Sequence, residues 1–462
     1  MVCQQIPPES KFRTMDEDKR KKLEALGPEK LATALFDLSL HDARAGDVVE
    51  RLISTPDDIV KSFKSKLSGL KRSRRFIPWG DSAQFAKELR FVLKDLQESV
   101  RDPCLGAKLV ADFCETDQAS IERCDDSSGH VGDVYQYDAA EAFSAYAIHC
   151  DDKALLVKLL LDLNKNDEFG IRVAFIDRAQ EFLSEALIRD LVISLEELSE
   201  RETEPYRRRH WLHCVESLAM QIRDPGMFEK ARLASHEKIS TSTCIDIAQA
   251  YVAAGNAAVA LNWLEQVSQD ERFMADNRER LLLEVYGMLG NIEGQREVAW
   301  RIFKAGRSAP SFKTLLEVVG EEQKDVIIDH EVSEILNAGQ FSYSDAQFLI
   351  QMERMNEAER YVLDRSDQIN GDHYHWLVPM AEDMAASAKW LGATILYRAL
   401  LDSILRRAKT KTYPHGAKYL HKLQRISEQV TDWGAIGNHK KYYDSLRMNH
   451  GKKTSFWRAV SA

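Results

Sequence analysis

The sequence predicts an all-α fold: an α-solenoid of TPR-like antiparallel helix pairs with a helical C-terminal cap. Three observations carry that expectation. A helix-turn-helix unit occurs twice, first as CIDIAQAYVAAGNAAVALNWLEQV and then as RLLLEVYGMLGNIEGQREVAWRIF. Tyr251, Gly255 and Asn256 of the first copy return as Tyr286, Gly290 and Asn291 of the second, 35 residues on. Tetratricopeptide hairpins repeat at about 34 residues. Glycine (22 residues) and proline (11) are sparse over 462 positions, which leaves too few turns for an all-β chain. Apolar residues also recur at helical spacing along most of the sequence. A hairpin of this kind has one apolar face it cannot bury alone, so neighbouring units must stack.

Element by element, residues 1–14 read as a disordered tail, 15–132 as an N-terminal helical region, 133–397 as the repeat array and 398–462 as a basic cap. DEDKRKKLEALGPEKLATALFDLSL spaces Leu31, Leu35 and Leu38 helically. PDDIVKSFKSKLSGL opens on proline and two aspartates, which suit a helix start. SAQFAKELRFVLKDLQESV sets Phe85, Leu89, Leu93 and Leu96 on one face. DDSSGHVGD is the densest turn sequence in the chain. It is expected to separate a helix ending near Arg123 from one beginning near Asp133, with Asp133 as its N-cap. Amphipathic segments then run through ALLVKLLLDLNKNDEFG, FIDRAQEFLSEALIRDLVISLEELSE and RRHWLHCVESLAMQIR into the two hairpins. Beyond these, Gly320, Met355 and Gly392 mark the expected helix breaks. Residues Glu141 to Leu405 should be almost wholly helical.

The net charge of -10 is unevenly placed. From Arg398 to Ala462 there are 14 Lys and Arg against 4 Asp and Glu, so the acidic excess lies in the body of the chain. An acidic body argues against bulk nucleic-acid binding. The seven cysteines, Cys3, Cys104, Cys114, Cys124, Cys150, Cys214 and Cys244, form no CxxC pair. Their odd number and wide spacing suggest free thiols in a reducing compartment. The N-terminal residues carry no apolar signal core, and the longest apolar cluster is broken by Lys158 and Asp162. The chain is therefore expected to be cytoplasmic, without a membrane partner or a cofactor.

Five clusters bear chemistry. Asp125, Asp126 and Asp133 could suggest a cation loop. However, Gly129 and Gln136 fall where an EF-hand needs ligands, so an acidic turn that caps helix ends fits better. KRSRRFIPW sets Arg72, Arg74 and Arg75 beside Phe76 and Trp79, a pattern able to hold phosphate and stack on bases. It equally suits a solvated helix end with the aromatics packed beneath. In the basic cap, Lys440, Lys441, Lys452 and Lys453 are candidates for an anionic partner, or else for pairing with the acidic body. His210, His213 and Cys214 in HWLHC, and His373 and His375 in GDHYHW, lack the companion ligands a zinc site requires. No GxSxG, P-loop, GxGxxG or HExxH pattern occurs, which counts against an enzyme built on those motifs.

RSRRFIPW, ERCDDSSGHVGDVY and the ending HKKYYDSLRMNHGKKTSFW resemble a bacterial family of helical-repeat proteins of unknown function. The chain is also similar to the helical region that follows the zinc module in some SWIM zinc-finger proteins. The likeness runs from about Leu23 to Trp457. At the tail it rests on His439, Tyr442, Leu446, Arg447, His450, Gly451, Lys452, Lys453, Phe456 and Trp457. It implies a helical-repeat fold and no activity. The CxC…CxH ligands of the SWIM module are missing, so no zinc role is implied. Two functional expectations follow. One is a non-enzymatic scaffold that binds a protein partner on its concave face. The other is a nucleic-acid-associated factor using residues 71–75 and 398–462.

Overall fold

A computed structural model of the chain describes residues 19–42, 45–46, 49, 53, 55–236 and 238–461. The expected disordered tail, 1–14, lies outside these residues. The described chain is helical, with no strand beyond one isolated bridge between Ile77 and Cys124. Two compact units divide it, one up to Ile239 and one from Ser240.

In the first unit the principal helices are α1 (Pro28–Ser39), α2 (Pro56–Arg72), α3 (Trp79–Ser99), α4 (Pro103–Cys114), α5 (Asp117–Glu122), α6 (His130–Asp133), α7 (Ala139–Ala147), α8 (Lys153–Lys165), α9 (Val173–Ile176), α10 (Glu185–Arg201), α11 (Pro205–Gln221) and α12 (Pro225–Ala234). Helix starts follow the local chemistry. The side chains of Thr55, Asp102, Asp152, Ser184 and Asp224 each accept a first-turn N–H. Phe85, Leu89, Leu93 and Leu96 of α3 are buried as one face. Asp117 and Arg172 form a buried ion pair at 2.7 Å, and Arg172 also donates to the carbonyls of Cys114 and Leu163.

Two details differ from expectation. Asp133 caps nothing: the helix has already begun at His130, and Asp133 continues through a π-helical turn, Val134–Asp138, into α7. Gly129, at φ +74°, turns the chain into it. The capping group is Asp126, whose carboxylate accepts the N–H groups of Val131 and Gly132 at 3.0 and 2.8 Å. Cys104 and Cys150 form a disulfide where free thiols were expected. The packing of α4 against α7 brings their Cα atoms to 4.8 Å, a proximity that spacing along the chain cannot show. Cys114, Cys124, Cys214 and Cys244 are free, buried thiols.

The second unit contains α13 (Thr241–Ala253), α14 (Ala257–Glu265), α15 (Ala275–Met288), α16 (Ile292–Ala305), α17 (Ala309–Val319), α18 (Lys324–Asn337), α19 (Tyr343–Gln351), α20 (Met355–Asp364), α21 (Tyr374–Ala386), α22 (Trp390–Arg407), α23 (Tyr413–Ser427), α24 (His439–His450) and α25 (Thr454–Ser461). Consecutive helices pack against one another. Gly255 and Gly290 adopt left-handed φ of +79° and +67°, and the N–H groups of Asn256 and Asn291 return to the carbonyls of Tyr251 and Tyr286 at 2.9 Å. The same two asparagine side chains then cap α14 and α16. This is the Schellman ending, in which one left-handed residue lets the last carbonyls be satisfied.

The turn recurs where no glycine announces it. Arg223 of the first unit and Glu353 and Ala388 of the second have φ near +55° to +59°. The following N–H groups bond back over the same interval, Asp224 to Ala219, Arg354 to Leu349 and Lys389 to Met384. The expected break at Met355 thus lies at Glu353, just before α20. Gly320 does end α17, at φ +101°. Gly392 is no break. It is buried within α22, where a β-carbon would meet Met384 Sδ at 2.6 Å, so this glycine permits close helix packing. Residues 132 and 133 both lie in α6, and 397 and 398 both in α22, so neither expected boundary coincides with a break in the helical order.

The C-terminal helices pack as a clasp. Leu446, Phe456 and Trp457 are buried, the Trp457 indole donates to the His450 carbonyl at 3.0 Å, and the Arg447 guanidinium lies 3.7 Å from the Trp457 ring centre.

Candidate functional site

Two motifs of the first unit, some fifty residues apart in sequence, meet in space. The segment after α2 runs extended, and the Ile77 N–H donates to the Arg123 carbonyl at 2.8 Å. The Asp125 N–H returns to the Ile77 carbonyl at 2.9 Å, and the Trp79 indole donates to Ser128 Oγ at 2.8 Å. The Arg123 guanidinium lies over the Phe85 ring at 4.4 Å and reaches the Arg75 carbonyl, while its Nε is buried without a partner. Beneath this junction is a groove of about 610 Å³, walled by Leu70, Phe76, Ile77, Phe85 and Leu89, with Arg75 and Arg123 at its edge.

The groove sorts the predicted residues. Arg74 and Arg75 are exposed and make no ion pair with a described residue. Arg72 turns back to the Ser68 carbonyl, and Lys71 pairs with Glu115 at 2.9 Å. Phe76 and Trp79 are 62% and 60% exposed, so they do not pack beneath a helix end. Asp125 and Asp126 serve the turn, and Asp133 points to solvent. No cluster of metal-ligating groups occurs among the described residues. His213 faces Glu216 at 3.5 Å instead.

In the second unit one of the basic candidates lines an unanticipated groove. Lys440, Lys441 and Lys452 are exposed, Lys453 is half-buried, and none makes an ion pair with a described residue. Lys453 lines a groove of about 1210 Å³ between the segment 366–371, α22 and α24. Arg398 sits there between the rings of Trp433 and Tyr442, at 5.5 and 4.5 Å, and donates to the Gly437 carbonyl at 2.8 Å. Its Nε is buried without a partner. The Tyr442 hydroxyl donates to Asp402 at 2.7 Å. Partial desolvation raises the Asp402 carboxyl above the usual range although the side chain keeps solvent contact, and it lowers Arg398. His450 is lowered as well, by desolvation first and then by Lys453. Arg398, Asp402 and Asp367 carried no motif in the sequence. The only signal was a run of cations without matching acids.

No helix among the described residues is long and apolar enough to cross a membrane. No curated protein matches the chain. Residues 18–225 and 230–459 both match the profile of a family of unknown function, DUF6880, and together they span nearly the whole sequence. The motifs at both grooves fall within these matches, and the chain belongs to that family.

Proposed function

We propose that this protein is a non-enzymatic scaffold, a solenoid of TPR-like hairpins that binds a protein partner on the concave face such stacks generate. One observation carries the reading. The Schellman turn of Gly255 and Gly290 recurs at Glu353 and Ala388 with the same backbone bonds, so the hairpin is a repeated building unit. Likeness to the helical region of bacterial SWIM zinc-finger proteins supports it by analogy. The full chain, tagged and cross-linked in its native host, should retain one defined protein. That protein should protect surface amides of α13–α16 from hydrogen exchange. A purified pair with no protected hairpin amides would count against the scaffold.

A second reading has its own support. Exposed Phe76 and Trp79 stand beside Arg74 and Arg75, whose charges no described residue neutralises. Rings interleaved with cations suit single-stranded nucleic acid. RNA binding that weakens with salt and is lost in the Arg74→Glu, Arg75→Glu double variant would favour it.

A further inference from the structure

We propose that the groove between segment 366–371, α22 and α24 binds a nucleotide unit: a phosphate, a sugar face and an aromatic base. This stands apart from the scaffold reading and uses neither Arg74 nor Arg75.

The phosphate end is set by Arg398 and Lys453. Arg398 has no carboxylate within ion-pair distance among the described residues, and its Nε is buried with nothing to bond. Such a group costs stability unless an acceptor arrives. Stacking between Trp433 and Tyr442 holds the guanidinium in place, leaving its orientation fixed before any ligand binds. Lys453 lines the same groove and is also without an ion pair among the described residues. Arg406 also lines the groove and adds a third cation, held among the described residues by an exposed contact of 3.4 Å to Asp372.

The lining also rules against a simple anion. Asp367 and Asp402 face the same space. A bare phosphate gains nothing from them, whereas sugar hydroxyls donate to carboxylates, as ribose does in dinucleotide sites. Asp402 spends one oxygen on Tyr442 and keeps the other available.

A set of rings that would serve as a base platform is tied to the groove wall through Tyr343. Tyr343 donates to the Asn370 carbonyl at 3.2 Å and accepts the Asn370 N–H at 3.0 Å, tying its ring to a groove wall. The ring of His373 follows at 4.8 Å and that of His375 at 6.1 Å from His373, with Tyr374 5.9 Å from His375. His373, Tyr374 and His375 are exposed. Aromatic faces open to solvent supply stacking, and the unpaired cations of the groove supply charge, the two things a nucleotide requires.

The test uses the full chain. Calorimetric titrations with AMP, adenosine and inorganic phosphate are run beside anisotropy with a labelled single-stranded RNA oligonucleotide. AMP should bind saturably, with adenosine and phosphate each at least about tenfold weaker, since each lacks one half of the recognition. Lys453→Gln and Tyr374→Ala should each weaken AMP about tenfold, the effect of one charged contact or one stacked base. The exposed Tyr374 variant keeps the test open should the other perturb folding. If RNA binds more tightly than AMP and both variants weaken it, a nucleic-acid strand is the source of the unit. If AMP binds as tightly as RNA, a free nucleotide is. The proposal is overturned if neither AMP nor RNA binds, if phosphate matches AMP, or if both variants leave binding unchanged.

Discussion

The two units reach helical order by different routes. In the first, distant segments are tied by specific polar links. Examples are Arg172 with Asp117, Arg90 with Asp138 at 2.7 Å, and Ile77 with Arg123. Short helices, a π-turn and a disulfide fill the space between them. In the second, one local turn is reused, and apolar faces of successive helices supply the core from Ala299 to Trp457. A fold held by single long-range links should be fragile at those links. A core assembled from consecutive helix pairs should spread damage over several packing contacts.

The sharpest way to break the contrast is Arg172→Ala. It strands Asp117 in the core, and losing one partner of a buried pair costs about 3–5 kcal/mol. The buried Glu331 of the second unit is bonded by Arg307, Lys304 and His330. Lys304→Ala leaves Glu331 its bonds to Arg307 and His330 and should cost visibly less. Urea unfolding of both variants checks this. Equal losses would erase the contrast.

Trp263→Ala removes a buried ring from α14. Truncations of this kind cost roughly 3–5 kcal/mol. The lower end is expected, because Trp263 sits at the rim of burial and its repeat counterpart is the smaller Val298. An unchanged melting midpoint would show that this ring contributes little to the packing of α14.

The turns sharpen the comparison through opposite signs. A β-carbon in the left-handed region costs about 1–2 kcal/mol. Gly255→Ala should therefore destabilise by about that much, and Ala388→Gly should stabilise by up to about the same, less some unfolded-state entropy. Thermal unfolding of the two variants would show whether both turns are strained alike.

Acidification should weaken the second unit modestly. Burial holds His439 and His450 below the ordinary histidine value of 6.5. The unfolded chain therefore binds more protons, so the stability these two provide is present above about pH 6.5 and is lost as pH falls through that value and below. In the first unit His210 is lowered by burial, while His213 is raised by Glu216, and the two oppose each other. Urea midpoints at about pH 7.5 and 5.5 should differ less in a His439→Gln, His450→Gln variant.

The smallest stability effect belongs to the basic rim. Reversal of Lys440, Lys441, Lys452 and Lys453 to Glu should leave the melting midpoint nearly unchanged, since no described residue pairs with them. Any anionic partner held by this rim should be lost. Unfolding on reversal would mean that these lysines pair with the acidic body after all.

What the sequence determined by itself was helix: few breaks, sustained periodicity, capping residues at helix starts, and the two glycine turns with their asparagine caps. These are local preferences, set within a few residues, and so readable along the chain. Its aromatic ending foretold the packed clasp for a similar reason, since an undocked terminus has little use for buried rings. Only tertiary structure decided the rest. The left-handed turns at Glu353 and Ala388 have no glycine, and only the structure shows that they close with the same backbone bonds as the glycine turns. Cys104 and Cys150 meet because α4 lies on α7. Phe76 stays exposed although its neighbours Ile77 and Trp79 are tied to residues beyond 120, and Arg398 gains its solitary position from rings 35 and 44 residues away. Each of these depends on the juxtaposition of remote segments, which no local pattern encodes.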